Sequence, residues 1–276
     1  MSTMKLFLLF VLIVGISADQ SVGSDEYKLG GFPSLGGSIS DIISGIIKKL
    51  LDSVRAVVPE PISIAKLNIS LPYENLANGS FILTDLIEIG AKNFNASSVS
   101  VNMMKSALTV IVDIPSININ TNYFSDLLFG SILPMYGEGP ANIRLKNLRL
   151  NFTSKYSLNI LKLQMQVKNT SIIMNLGDAV FDLHGMINNE AFSILCSQIL
   201  DDTVDVFINK HNVLISNIIS PIVETVINSV LSKKQTTAAF LYNAPIELEE
   251  FEVMELRNMF FNELMKQPMV SKYVSL

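Results

Sequence analysis

Residues 108–123 read LTVIVDIPSININTNY. Leu108, Val110, Val112 and Ile114 alternate with Thr109, Ile111 and Asp113, and Ile117, Ile119, Thr121 and Tyr123 alternate with Ser116, Asn118, Asn120 and Asn122. A period of two places successive side chains on opposite faces of a β-strand. One aliphatic face and one asparagine-rich face describe an antiparallel sheet covered on one side.

The same alternation extends over residues 62 to about 187. Leu67, Ile69 and Leu71 alternate with Lys66, Asn68 and Ser70, and Leu161, Leu163, Met165 and Val167 with Lys162, Gln164, Gln166 and Lys168. Further strands fit 81–89, 97–104, 141–152 and 170–176. The alternation slips by one residue near Lys146-Asn147 and again between Ile160 and Leu161. A β-bulge produces such a slip and increases strand twist and bending.

Helical spacing flanks the sheet on both sides. Ile39, Ile42, Ile43, Ile46, Ile47, Leu50, Leu51, Val54, Val57 and Val58 recur as one stripe behind Ser38 and end at Pro59-Glu60-Pro61. This amphipathic helix must bury its stripe. Docking onto another part of the protein is favoured over a membrane surface, because its polar face mixes charge signs where surface-seeking helices are heavily basic. From Asn188-Asn189 to about Lys233 the helical period returns, with Phe192, Cys196, Ile199, Val206, Phe207, Leu214, Ile218, Ile222, Val226 and Val230 on its apolar side. An unbroken helix of that length would run about 63 Å, against about 45–50 Å for the diameter of a sphere of this chain length. Either the domain is elongated or the helix breaks, and Pro221 permits a kink. The expected fold is therefore α+β: a long, curved, bulged antiparallel sheet with a long C-terminal helix, preceded by an N-terminal amphipathic helix.

The first residues set the expected compartment. Lys5, the apolar run Leu6–Val14 and the small residues Gly15, Ser17 and Ala18 have the layout of a secretory signal peptide over residues 1–18. The Gly- and Ser-rich segment 19–37 reads as a flexible leader, 38–233 as one hydrophobic-ligand-binding domain and 234–276 as a C-terminal extension. No stretch has the length or apolarity of a membrane span, so no stable membrane insertion is expected. Sequons at Asn68, Asn78, Asn95, Asn151 and Asn169 fit a secreted, extracellular glycoprotein.

Composition narrows the function classes. Hydrophobic residues make up 49% and charged residues 16% of the chain, an apolar balance that suits a cavity lining as well as a core. The net charge of −5 and the lack of a basic patch argue against nucleic acid. Two histidines and one cysteine leave no zinc set, and there is no GxSxG, Walker A or full GxGxxG motif. No cofactor, metal or catalytic residue is expected, and Gly137-Glu-Gly139 reads as a turn between strands. Asp201, Asp202 and Asp205 read as a solvated helix face. Cys196 reads as a small buried hydrophobe; with the C-terminal extension, it is the candidate means of joining copies into an oligomer.

The order helix, long bulged sheet and very long helix resembles that of the juvenile-hormone-binding and takeout-like insect proteins. The residues carrying the resemblance are Gly90-Ala-Lys-Asn-Phe94, the series Pro115, Tyr123 and Gly130, and Leu133-Pro-Met-Tyr-Gly-Glu-Gly139 followed by Ala141-Asn-Ile-Arg-Leu145. The helix entry Asn189-Glu-Ala-Phe192 is similar as well. The resemblance covers roughly 40–232. It implies a sheet wrapped around the long helix and an apolar tunnel for terpenoid or fatty-acyl ligands, as in the wider group of tubular lipid-binding proteins, mite group 7 allergens included. The family's N-terminal cysteine pair has no counterpart here. The expected function is a non-enzymatic carrier of a small hydrophobic molecule, with Phe81, Met103, Val110, Val112, Met165 and Met174 as candidate pocket residues. The alternative is a structural or interaction glycoprotein of a secreted matrix or silk.

Overall fold

A computed structural model of the chain describes residues 60–73, 77–129, 133–159 and 164–232, with separate positions between 40 and 55 and at 263, 266, 274 and 275. The expected signal peptide and leader, the slip at Ile160-Leu161 and most of the C-terminal extension lie outside the described residues.

Two long strands form the spine. β4 (Ala107–Phe129) pairs with β5 (Leu133–Asn159) from Ala107 opposite Lys155 to Phe129 opposite Leu133. Shorter strands share their outer edges. β3 (Asn95–Asn102) and β2 (Ala77–Ile89) take successive halves of β4, while β6 (Gln164–Asn175) and β7 (Asp178–Leu183) take successive halves of β5. β1 (Ile62–Tyr73) adds to β2, and the two-residue β8 (Val274–Ser275) adds to β1. All pairings are antiparallel.

The slip expected at Lys146-Asn147 is the crease of the sheet. Ile114 and Ile117 on β4, and Leu145 and Leu148 on β5, are all buried. Between each pair, two consecutive residues leave the inner face: Pro115-Ser116 and, across from them, Lys146-Asn147. Asn147 takes a left-handed φ of 53°, a conformation that asparagine tolerates better than most residues. Gly177, between β6 and β7, donates its N–H to the Lys146 carbonyl at 3.1 Å. Its own added Cβ would stand 2.8 Å from the Asn147 Cβ, so a side chain there would have to displace Asn147. A second irregularity, with Asp85 at φ 52°, shifts the inner face of β2 in the same way.

The long helix is two helices in sequence, α1 (Glu190–Lys210) and α2 (Asn212–Ser232), parted only at His211. The ladder crosses the junction through His211 N–H to the Phe207 carbonyl and Ile215 N–H to the His211 carbonyl. Pro221 lies inside α2 and does not end it. Asn189 caps α1 through its side chain, which accepts from the Phe192 N–H.

This helix pair seals the free edges of β6 and β7. An edge strand presents unpaired N–H and C=O groups, and here helix side chains take their place. Ser193 and Ser197 accept from the N–H groups of Met186 and Leu183, and Asp201 accepts from Phe181. Asn209 accepts from Leu176 N–H at 2.8 Å and donates to its carbonyl at 2.8 Å. Ser216 and Ser220 accept from Ile172, and Glu224 accepts from Thr170. Asn228 holds both groups of Val167, at 2.8 and 2.9 Å. The spacing has a simple cause. Four helical residues rise about 6.0 Å and two strand residues advance about 6.6 Å, so helix positions four apart can keep step with every second amide, as Ser197 and Asp201 do with Leu183 and Phe181, and Ser220 and Glu224 with Ile172 and Thr170.

This arrangement corrects two expectations. Asp201 does not belong to a solvated face, because the Phe181 N–H binds it at 2.5 Å. Ile199 and Val206 do not face the core; they are 47% and 58% exposed. The side of α1 turned to the sheet is set by the serine row together with Cys196, Val204, Phe207 and Ile208, which are buried. The N-terminal helical stripe does dock, with Ile43 and Ile47 buried against Leu108, Val110, Met165, Val167 and Leu231.

Candidate functional site

The candidate site is the inner face of the sheet, where apolar side chains of the strands meet the helices. Phe81 points inward from β2, half-buried, and stacks on Tyr123 of β4 with ring centroids 5.9 Å apart and planes 18° apart. The Tyr123 hydroxyl donates to the His184 carbonyl at 2.7 Å. Burial, then the nearby Cys196 and Glu190, push that hydroxyl up to about 12, so it stays a neutral donor at physiological pH.

Five of the six predicted pocket residues lie in or against the core, but they divide into two groups. Val110 and Met165 belong to the cluster capped by Ile43, Ile47 and Leu231. Met174 belongs to the larger cluster with Leu83, Leu145, Leu148 and Ile215, against which Phe81 packs. Val112 packs against both. Met103 does not lie on a strand: it is in the turn between β3 and β4 and is 46% exposed. Strand periodicity ran past the true end of β3 at Asn102, because the turn residues that follow, Met103-Met104, are themselves apolar.

An open groove of about 490 Å³ lies at the crease, lined by Asp113, Ile114, Pro115, Asn147, Arg149, Asn175, Leu176 and Gly177. None of the six predicted residues lines it. Its rim carries the Arg149–Asp113 ion pair at 2.6 Å, and hydrogen bonding to Arg149 holds the Asp113 carboxyl below its ordinary value.

Sequence reasoning passed over Glu88. It sits on the inner face of β2, 1% exposed, opposite Ile62 on one side and Ile119 on the other, both buried. One carboxyl oxygen accepts from the Ala91 N–H at 2.9 Å, whereas Oε2 is buried without a hydrogen-bond partner. Glu60 lies alongside, accepting from the Gly90 N–H at 2.6 Å. Burial, with a smaller push from Glu60 and against the Ala91 hydrogen bond, raises the Glu88 carboxyl from 4.5 to about 7. A carboxyl that gains proton affinity on folding stabilises the fold fully below its unfolded value, and that contribution is lost as pH rises through the folded one. Stability is therefore expected to fall by about 2–3 kcal/mol between pH 4.5 and 7.5 through this group. Urea unfolding of Glu88→Gln should show that slope flattened. The available signal was a lone Glu at an inward position between Leu86 and the Gly90 turn.

Gly137 and Gly139 are not in a turn. They lie inside β5, where the segment 184–186 crosses close over the strand. An added Cβ would stand 2.5 Å from the Gly185 carbonyl oxygen at Gly137 and 2.4 Å from that of His184 at Gly139. The short motif serves a close backbone approach that local sequence does not reveal.

Cys196 is 2% exposed, and burial pushes its thiol up. His211 packs its ring on Phe207, with centroids 4.5 Å apart, at the helix junction. Among the sequons, Asn95 and Asn169 are exposed, while Asn68 and Asn151 are half-buried with their amide oxygens enclosed. No group of His, Cys, Asp and Glu among the described residues is arranged to hold a metal ion, and no described helix is long and apolar enough to cross a membrane.

A curved antiparallel sheet, creased at its centre, sealed along one edge by a two-part helix and aliphatic within, defines the class of protein. Residues 33–241 match the haemolymph juvenile hormone binding protein (JHBP) family, and the chain belongs to it. Among solved structures the chain is similar to Takeout 1 of Epiphyas postvittana, at 14% identity over 84% of this chain and 93% of that one, with a TM-score of 0.42. It is also similar to a lipopolysaccharide binding protein, at 12% identity over 67% of this chain and 40% of that one, with a TM-score of 0.29. No curated protein sequence matches it.

Proposed function

We propose that this protein is a secreted, non-enzymatic carrier of a small hydrophobic molecule of terpenoid or fatty-acyl type. Membership of the juvenile hormone binding family over residues 33–241 carries the reading. The aliphatic and methionine-bearing inner face supports it, since Val110, Val112, Met165 and Met174 offer an apolar and adaptable lining. The layout of residues 1–18 supports export, and Asn95 and Asn169 have the exposure that a glycan requires.

Native mass spectrometry of the protein from its natural source tests the function. The expected result is an adduct of a few hundred daltons that leaves on organic extraction. Protein that is repeatedly empty, and that ignores fluorescent fatty-acyl probes, would refute the carrier.

A further inference from the structure

We propose that Glu88 is the polar anchor of the ligand site, selecting apolar molecules with one neutral oxygen headgroup, such as an ester, ketone or alcohol, over anionic fatty acids. The inference rests on the carrier reading and specifies what is carried.

The argument starts from the carboxyl itself. Glu88 is on the interior face, enclosed in register by Ile62 and Ile119, with Leu86 buried just before it on the same strand. Its Oε1 is satisfied by the Ala91 N–H; its Oε2 has no hydrogen-bond partner and no access to solvent. Buried polar atoms are nearly always paired, and one left alone disfavours the fold. On this proposal the headgroup of the ligand is the partner that Oε2 lacks. Leu83 and Phe81 continue the same inner face beyond the Asp85 irregularity, so a headgroup at Glu88 would place its chain along apolar residues.

Charge decides which headgroup fits. Among the described residues, Glu60 is the charged group facing Glu88, and it repels a second anion. β1 and β4 present Ile62 and Ile119. Lys92 stands in the turn itself, and Arg55 is turned to the Phe94 carbonyl and ring and to Asp52. Among the described residues no cation acts on the Glu88 carboxyl, so none is in place to receive a carboxylate beside it. A protonated Glu88 donates its O–H to an ester or ketone oxygen. An ionised Glu88 accepts only from a donor, so an alcohol is held in either state while an ester loses its partner as pH rises.

Displacement of the neutral dye N-phenyl-1-naphthylamine from the full chain tests this, with methyl hexadecanoate, hexadecanol and hexadecanoic acid as competitors at pH 6 and pH 8. For the wild type, ester affinity should fall about five-fold from pH 6 to pH 8 and that of the acid at least as much, while the alcohol changes less than about two-fold. Glu88→Gln keeps an N–H donor that does not titrate, so its ester affinity should be the same at both pH values. Equal binding of acid and ester by the wild type at pH 8, or an ester profile of Glu88→Gln that still follows the wild type, would overturn the anchor and leave the carrier standing. A folded wild type that binds neither dye nor competitors would overturn the carrier and the anchor together. The wild-type comparison needs no variant to fold.

Discussion

Replacing Asn209 and Asn228 together by alanine is expected to lower unfolding stability by about 5 kcal/mol and to make the protein prone to association. Each asparagine is, among the described residues, the helix partner of two backbone groups, the N–H and C=O of Leu176 and of Val167. Both residues are buried, at 2% and 0% exposure, so water does not replace the lost bonds. A buried group stripped of its partner costs about 1–3 kcal/mol. The two sites lie on different helices and share no partner, so their effects should add. Association follows because the opened edge of β6 is a strand edge ready to pair with another chain. Urea denaturation of the single and double variants, with sedimentation of the double, checks both parts. A double variant within about 1 kcal/mol of the wild type would mean that the helix row does not hold the edge.

Gly139→Ala is expected to cost about 3 kcal/mol and to reduce the yield of folded protein. The added methyl carbon would meet the His184 carbonyl oxygen at 2.4 Å, a backbone atom that no rotamer change can move. Nor can β5 retreat, since Gly139 is paired with Tyr123 of β4 on its other side. Gly45→Ala is the matched control. Its added methyl meets nothing within 4 Å, and alanine is the better helix former, so stability should rise slightly. Thermal unfolding of both variants distinguishes a steric cost from a general intolerance of Gly→Ala changes.

Much of the architecture was legible before any tertiary information. Alternation in 108–123 marked the spine strand because the pleat sends every second side chain to the same face. The slip at Lys146-Asn147 marked the crease for the same reason: when the pleat skips a beat, the apolar set skips with it. Asn189 marked the start of α1 because its short side chain can reach a free amide of the first turn. Core positions such as Leu108, Val110, Ile117 and Ile119 followed from period and hydrophobicity alone.

The site was less legible, for reasons that particular residues make plain. Met103 carries the chemistry of a core residue, yet a tight turn places it in solvent. Gly137 and Gly139 look like a turn because the segment passing over them lies more than forty residues away in the chain. Ser193, Ser197, Asp201, Asn209, Ser216, Ser220, Glu224 and Asn228 could be seen to recur at helical spacing, but short polar residues usually face water. That they face an edge depends on β6 and β7 lying beside them, which no local pattern states.

Residues 108–123 thus determined, by themselves, that this chain builds a long antiparallel sheet with an aliphatic inner face. Periodicity is a local consequence of backbone geometry, and each strand carries it independently of its partners. Only the tertiary structure decided that a polar helix row closes the sheet edge, that His211 rather than Pro221 divides the helix, and that Glu88 stands with one oxygen unpaired among isoleucines. Those facts are pairings between residues distant in sequence. Hydrogen bonding and desolvation depend on what lies within a few ångströms in space, and that is settled only when the chain has folded.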